Sequence, residues 1–209
     1  MIEYNPHVKR CVDVLLSSIA ILLFAPFFVF ISILICLDSK GPPFFIQERF
    51  GRSVVPFRLI KFRSMAFDEI GTSVGFRPGD NRRVTKIGRL LRITKIDELP
   101  ELFNIIKGDM SFVGPRPEVS KYVNSYLKEF ETILIVRPGL SDFASIKYRN
   151  EEQILANIAD PEEYYRNVIL PDKIKIAKTY VENVSFKMDL AVIRKTFKSL
   201  IKTEKADEN

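Results

Sequence analysis

The feature that most constrains this chain is an uncharged, apolar run at residues 14–37, bounded by Asp13 and Asp38. Wound as one helix at 1.5 Å per residue, it would reach about 36 Å, enough to cross a hydrocarbon layer of roughly 30 Å. The run predicts a membrane anchor. A cleaved leader fits poorly, because the run exceeds the usual apolar region of a signal peptide and no small-x-small cleavage site follows it. Pro26 falls near its middle, where it removes a backbone donor and crowds the preceding turn, so a kink or turn is expected there. Basic residues stand on both flanks, Lys9 and Arg10 before the run and Lys40, Arg49, Arg52, Arg58, Lys61 and Arg63 after it. Lys and Arg favour the cytoplasmic side. A hairpin entering and leaving one leaflet satisfies both flanks, whereas a straight span would put one of them outside. Many spanning helices tolerate proline, so these residues leave both topologies open.

The remainder of the 209 residues suffices for one domain with a core. A single histidine, His7, nearly excludes a Ser-His-Asp triad or a multi-histidine zinc site. The two cysteines, Cys11 and Cys36, cannot build a disulfide framework and read as small apolar residues. A net charge of +6 points to an anionic partner: nucleic acid, anionic lipid or a phosphorylated substrate. At 46% hydrophobic residues the chain is too apolar to be disordered, and only residues 203–209 read as a loose tail.

After the turn signal Gly41-Pro42-Pro43 come two strand-like stretches, the second at residues 54–62, and then a polar loop at 71–81. From Thr85 the pattern is helical and basic, with Ile87, Leu90, Leu91 and Ile93 expected on one side. Asp97-Glu98-Leu99-Pro100-Glu101 opens another helix that stops at Gly108. Proline is acceptable only in a first turn, so Asp97 and Glu98 belong at the helix start. Unpaired N–H groups there keep a carboxylate ionised and can hold a phosphate; an ordinary acidic cap is the other reading. The following loop carries Arg116 between Pro115 and Pro117, a fixed backbone that suits a guanidinium aimed at phosphate oxygens, or simply a rigid turn. Residues 118–130 and the acidic stretch 146–171 read as helical, with a tight turn at Arg137-Pro138-Gly139-Leu140 between them. The last helix sets Phe186, Leu190, Ile193, Phe197 and Leu200 at steps of 4, 3, 4 and 3 among Lys187, Arg194, Lys195, Lys198 and Lys202. Core packing is the default use of such a face, and contact with anionic headgroups the alternative.

The ordered series Lys61-Phe62-Arg63-Ser64-Met65, Gly88 to Leu91-Arg92, Asp97-Glu98-Leu99-Pro100, Leu102-Phe103-Asn104, Gly108-Asp109-Met110-Ser111, Val113-Gly114-Pro115-Arg116-Pro117 and Ser185-Phe186 with Asp189-Leu190 resembles the bacterial sugar transferases, the small monotopic phosphoglycosyl transferases. The likeness spans roughly residues 7–201. It implies transfer of a sugar 1-phosphate from a nucleotide diphosphate sugar, usually a UDP-sugar, to polyprenyl phosphate at the cytoplasmic face of the bacterial inner membrane, with UMP released. It further implies a covalent phosphosugar on Asp97, Mg2+ held by Glu98 with Asp97 and Asp189, and phosphate or substrate contacts from Lys61, Arg92, Arg116 and Arg149. The expected partners are donor, acceptor and membrane lipid, with no nucleic acid. The expected fold is α+β and mostly helical: a re-entrant anchor over residues 1–40, a catalytic domain with amphipathic interfacial helices over 41–202, and a tail from 203. A membrane-anchored module that binds polyanions without catalysis is the alternative. Three departures stand out: Ser141-Asp142-Phe143-Ala144-Ser145 replaces a frequent Thr-Gly and Ala-Gln pattern, Glu101 stands where glutamine is frequent, and Ala25 precedes the anchor proline where serine is common.

Overall fold

The computed structural model describes residues 5–67 and 83–203. The polar loop expected at 71–81 and the tail beyond Thr203 lie outside the described residues. Helix α1 runs from Pro6 to Asp38. Its start is set locally: Asn5 Oδ1 accepts from the backbone N–H groups of His7 and Val8, and Pro6 occupies the first turn, where its missing donor costs nothing. The helix continues through Pro26. Asp13, Ser17, Phe28, Ile31 and Ile35 form a buried stripe along it, while Leu22, Leu23 and Leu37 are 80%, 70% and 79% exposed on other faces. One side of α1 is therefore part of the protein core, and much of the rest exposes large apolar side chains.

Strand β1 (Phe44–Phe50) pairs antiparallel with β2 (Pro56–Phe62), Phe44 opposite Phe62 and Phe50 opposite Pro56. The second strand begins two residues later than the sequence suggests because Arg52–Val54 forms a 3-10 turn. Phe62, at the end of β2, packs with Phe28, Ile31 and Ile35 of α1 and with Leu91 of α2 (Lys86–Thr94). Thr85 caps α2 by accepting from Gly88 N. Gly88 itself has no room for a side chain, since a Cβ there would stand 2.0 Å from the Ser64 carbonyl oxygen. The expected apolar side of α2 forms but meets the core only in part: Leu91 is buried, whereas Leu90 and Ile93 are exposed. A nine-residue helix seated on its Gly88 face turns those two residues away from the core.

A 3-10 turn at Ile96–Glu98 leads into α3 (Glu101–Lys107), which stops at Gly108 with φ 102°; the predicted stop is present, while the acidic pair sits in the 3-10 turn just before the helix and Pro100 caps it instead of lying in its first turn. Strands β3 (Ser111–Val113) and β4 (Gly139–Ser141) form a short parallel pair where the sequence reads as loop and turn; three residues are too few to show an alternating pattern. The expected helix over 118–130 is two, α4 (Ser120–Ser125) and α5 (Leu127–Ile133), separated at Tyr126. The stretch 146–171 is likewise divided among α6 (Phe143–Lys147), α7 (Glu151–Ala156), α8 (Pro161–Tyr164) and a π-helical turn at Tyr165–Ile169 that passes into α9 (Leu170–Glu182). Pro171 cannot donate into the preceding turn, which is where the wide turn forms.

The chain closes with α10 (Phe186–Thr203). Its buried face carries Asp189 and Val192, whereas Leu190 and Phe197 are 58% and 63% exposed. The expected seam is thus divided: Leu190 and Phe197 face outward, while Phe186 and Ile193 are half-buried, Ile193 packing against the cluster of Val113, Tyr180 and Val192, and polar Asp189 and Thr196 share inner positions that hydrophobic spacing cannot reveal. The architecture is α+β and mostly helical, as the sequence implies.

Candidate active site

Three elements converge on the acidic pair. The 3-10 turn places Asp97 at 8% exposure, soon after Lys95 in a left-handed conformation at φ 61°. Strand β2 delivers Lys61, whose Nζ lies 2.9 Å from Glu98 Oε1 and 3.1 Å from Glu101 Oε1. The proline-bounded segment after β3 delivers Arg116, whose Nη2 donates to the same Glu98 oxygen. These approaches are held by Asn104 of α3, which lies against β2: its Oδ1 accepts from Ile60 N at 3.0 Å and its Nδ2 donates to Arg58 O at 2.7 Å. One side chain thereby ties the helix that follows the acidic pair to the strand that carries Lys61.

Electrostatics divide the three carboxylates. Burial pushes the Asp97 carboxyl up, with Lys61 opposing the shift, and its Oδ1 is a buried atom with no hydrogen-bond partner. Burial acts on Glu98 in the same direction, but the charges of Arg116 and Lys61 outweigh it and hold Glu98 well below the usual carboxylate range. Glu101, 1% exposed, is pushed up to about 7, chiefly by burial against the pull of Lys61. Glu98 in turn raises the Arg116 guanidinium further. At neutral pH the centre therefore holds an ionised Glu98 clamped by two cations beside the Asp97 carboxyl, one of whose oxygens is unpartnered.

The other expected site residues are distributed differently. Arg92, in the last turn of α2, donates from Nε to Ser64 Oγ at 3.0 Å and from Nη1 to Glu152 Oε1 at 3.0 Å, and its charge reaches Asp97. Arg149, between α6 and α7, donates to Ser199 Oγ of α10 at 3.1 Å. Asp189 is engaged by Lys9 Nζ at 2.5 Å and by the Tyr180 hydroxyl at 2.7 Å. Its two oxygens thus join α10 to α1 and α9. Sequence reasoning singled out Glu101 only as a departure; its place three residues after Glu98 on a helix face was the available signal. Nothing in the sequence pointed to Lys9 as the partner of Asp189, 180 positions away.

A buried acidic pair is faced by a lysine and an arginine, and the residues around it, Ile96 and Leu99, pack against the long apolar helix α1. The family model described as bacterial sugar transferase matches residues 4–203, and the chain belongs to that family. It is 35% identical over 199 residues to the UDP-N-acetylgalactosamine-undecaprenyl-phosphate N-acetylgalactosaminephosphotransferase of Aeromonas hydrophila, covering 93% of this chain and 44% of that protein. It is 34% identical over 201 residues to the UDP-glucose:undecaprenyl-phosphate glucose-1-phosphate transferase of Caulobacter vibrioides, covering 95% of this chain and 71% of the relative. With the exopolysaccharide production protein ExoY of Rhizobium meliloti it shares 33% identity over 189 residues, 82% of this chain and 83% of the relative. The chain thus spans less than half of the Aeromonas protein, and the sugars named for the first two relatives differ.

Proposed function

We propose that this protein transfers a sugar 1-phosphate from a UDP-sugar to polyprenyl phosphate at the bacterial inner membrane. The observation that carries this reading is the buried, unpartnered Oδ1 of Asp97 beside a Glu98 clamped by Lys61 and Arg116. Asp97 Oδ1 attacks the phosphorus that bears the sugar; the bond to the UMP oxygen breaks, UMP leaves with that electron pair, and a phosphosugar remains on Asp97. An oxygen of the acceptor phosphate then attacks the same phosphorus and the Asp97 carboxylate departs. An anionic nucleophile approaching a diphosphate is repelled, and Lys61 and Arg116 offset that repulsion as fixed cations. Glu98 keeps both in place before substrate arrives, so little reorganisation is left for the transition state. A phosphate monoester with a second pKa near ~6 is already largely ionised at neutral pH, so the second step requires no histidine base.

The adjacent carboxylates of Asp97 and Glu98 also fit Mg2+, which takes one or two carboxylates together with substrate phosphates. When bound, the ion would supply further neutralisation of phosphate charge. Asp189 is left out of this donor set because Lys9 and Tyr180 engage it.

The anchor reading is a monotopic one, with α1 remaining in one leaflet and the catalytic body on the cytoplasmic face. Its support is the stripe from Lys9 to Ile35, which meets the body along nearly the whole of α1; a helix crossing a bilayer would carry its far half away from a body on one side. Exposed Leu90 and Ile93 of α2 beside Arg89, and exposed Leu190 and Phe197 of α10 beside Arg194, suit an interfacial position. An apolar groove of about 610 Å³, lined in part by Ile21, Ala25, Phe28, Val29 and Phe103, suits the isoprenoid tail.

Asp97→Asn should abolish UMP release even without acceptor while leaving the circular dichroism spectrum unchanged, and labelled donor should leave a phosphosugar on Asp97 in the active protein. EDTA should stop turnover and Mg2+ restore it. Near-normal turnover by Asp97→Asn would overturn the assignment. UMP release only with water as acceptor would indicate a hydrolase, and salt-sensitive polyanion binding without turnover would indicate a non-catalytic module.

A further inference from the structure

Arg116 lies between two prolines, so its neighbours contribute no backbone N–H with which to fix it. Upstream, Gly139 N donates to Pro115 O at 2.9 Å. Downstream the anchoring falls on Glu118. Its backbone carbonyl accepts from Phe50 N at 3.1 Å, its Oε2 from Arg49 Nη1 at 3.4 Å, and its Oε1 from the Tyr165 hydroxyl at 2.6 Å. Arg49 Nη1 also lies 3.3 Å from Pro117 O. Glu118 is 6% exposed and Tyr165 1%, so the shortest of these bonds is sealed from water.

Tyr165 comes from the π-helical turn, and that turn sets its partners. Lys173 Nζ, eight residues on, lies 3.3 Å from the Tyr165 hydroxyl and pairs with Glu151 at 2.5 Å. In a regular helix eight residues rotate by about 800°, leaving the two side chains some 80° apart; one extra residue in a wide turn brings them to within about 20° of one face. The phenol can then accept from Lys173 while donating to Glu118.

We propose that Tyr165 is a positioning residue for Arg116: the hydroxyl presented by the π-helical turn pins Glu118, and Glu118 fixes the proline-bounded backbone that aims the guanidinium at the donor's phosphates. This rests on the reading of Arg116 as a donor ligand. Wide turns in helices cost hydrogen-bond geometry and recur at functional sites. Here the use is specific, because the residue that this hydroxyl pins stands two positions along the chain from the arginine.

The test is a double-mutant cycle on the protein in nanodiscs, every form carrying Asp97→Asn so that donor is bound without forming the phosphosugar, with UDP-sugar affinity read by titration calorimetry; wild type here means unaltered at 116, 118 and 165. Tyr165→Phe keeps the ring and removes only the hydroxyl; it should weaken donor binding about tenfold in the wild-type background and by less than twofold in the Arg116→Lys background, where the planar fork is already absent. Glu118→Ala should reproduce the loss and keeps the idea testable if Tyr165→Phe folds poorly, as judged by its thermal midpoint. Equal fold-changes in both backgrounds, or unchanged affinity in Glu118→Ala, would overturn the proposal. A wild-type protein that binds no UDP-sugar, or an Arg116→Lys variant that binds as wild type does, would instead overturn the reading of Arg116 and the proposal with it.

Discussion

Replacing Glu101 by glutamine is the most informative perturbation of stability, because its burial among Lys61, Glu98 and Arg116 fixes the sign of the effect and sets its order of magnitude. Glu101 carries a folded-state pKa of about 7 against the ordinary glutamate value of 4.5. A raised carboxyl pKa means that the folded state binds the proton more tightly than the unfolded one, so the carboxyl lowers stability as pH rises through the interval between those values. Below pH 4.5 both states are protonated and the effect vanishes. Evaluating the two titrations at pH 5 and pH 8 gives a difference of roughly 2–3 kcal/mol in the cost of this one group. The glutamine variant cannot ionise, so its stability relative to wild type should rise by roughly that amount between the two pH values, less whatever Lys61 loses with one of its two carboxylate partners. At about 2–4 °C per kcal/mol for a chain of this size, the gap in thermal midpoint should widen by about 5–10 °C. The assay is thermal unfolding of both proteins in nanodiscs at pH 5 and pH 8. Midpoints that keep a constant separation across that range would refute the reasoning, since a buried group titrating near neutrality could not leave the difference unchanged.

Asn104→Leu should lower stability by roughly 3 kcal/mol or more, because Ile60 N and Arg58 O each lose a side-chain partner, and urea titration measures the loss. Pro26→Leu restores a backbone donor to α1; a single cysteine introduced at Tyr4 in a protein lacking Cys11 and Cys36 should be protected from an impermeant reagent in intact cells when Pro26 is present and labelled in the Pro26→Leu variant, whereas labelling of the Pro26 form would end the monotopic reading. Exchanging residues 141–170 for those of a relative with a different donor should change the ranking of sugars more than the maximal rate, and an unchanged ranking in an active chimera would place selectivity elsewhere.

What the sequence disclosed was local, and what it concealed was paired across distance. The long apolar helix, the helix that begins after Thr85, the acidic pair before α3 and the stop at Gly108 each follow from neighbouring residues, and each formed. The gathering of Lys61 and Arg116 on Glu98 came through family likeness, since strand, turn and loop meet there from 37 and 18 positions away. The inner face of α10 was illegible because Asp189 is buried by its bonds to Lys9 and Tyr180, not by hydrophobicity. Strands β3 and β4 were hidden for another reason: their pairing depends on Gly139 meeting the Gly114 backbone so closely that a Cβ would stand 2.1 Å from its nitrogen. A π-helical turn leaves no periodic trace in five residues, although Pro171 marks where a regular helix would fail.

The stripe on α1 bears on how the molecule is made. On the anchor reading, α1 is made before the residues that cover it, so it would enter the bilayer while they are still being synthesised. Phe62 and Leu91 then find Phe28, Ile31 and Ile35 already in place, and the Ile105 and Ile106 carbonyls at the end of α3 meet a waiting Arg10. The anchor is a template as much as a tether. Deleting it through Asp38 to obtain a water-soluble fragment would strip one wall from the core and leave Asp189 without its cation, so such a fragment should aggregate rather than yield a compact domain.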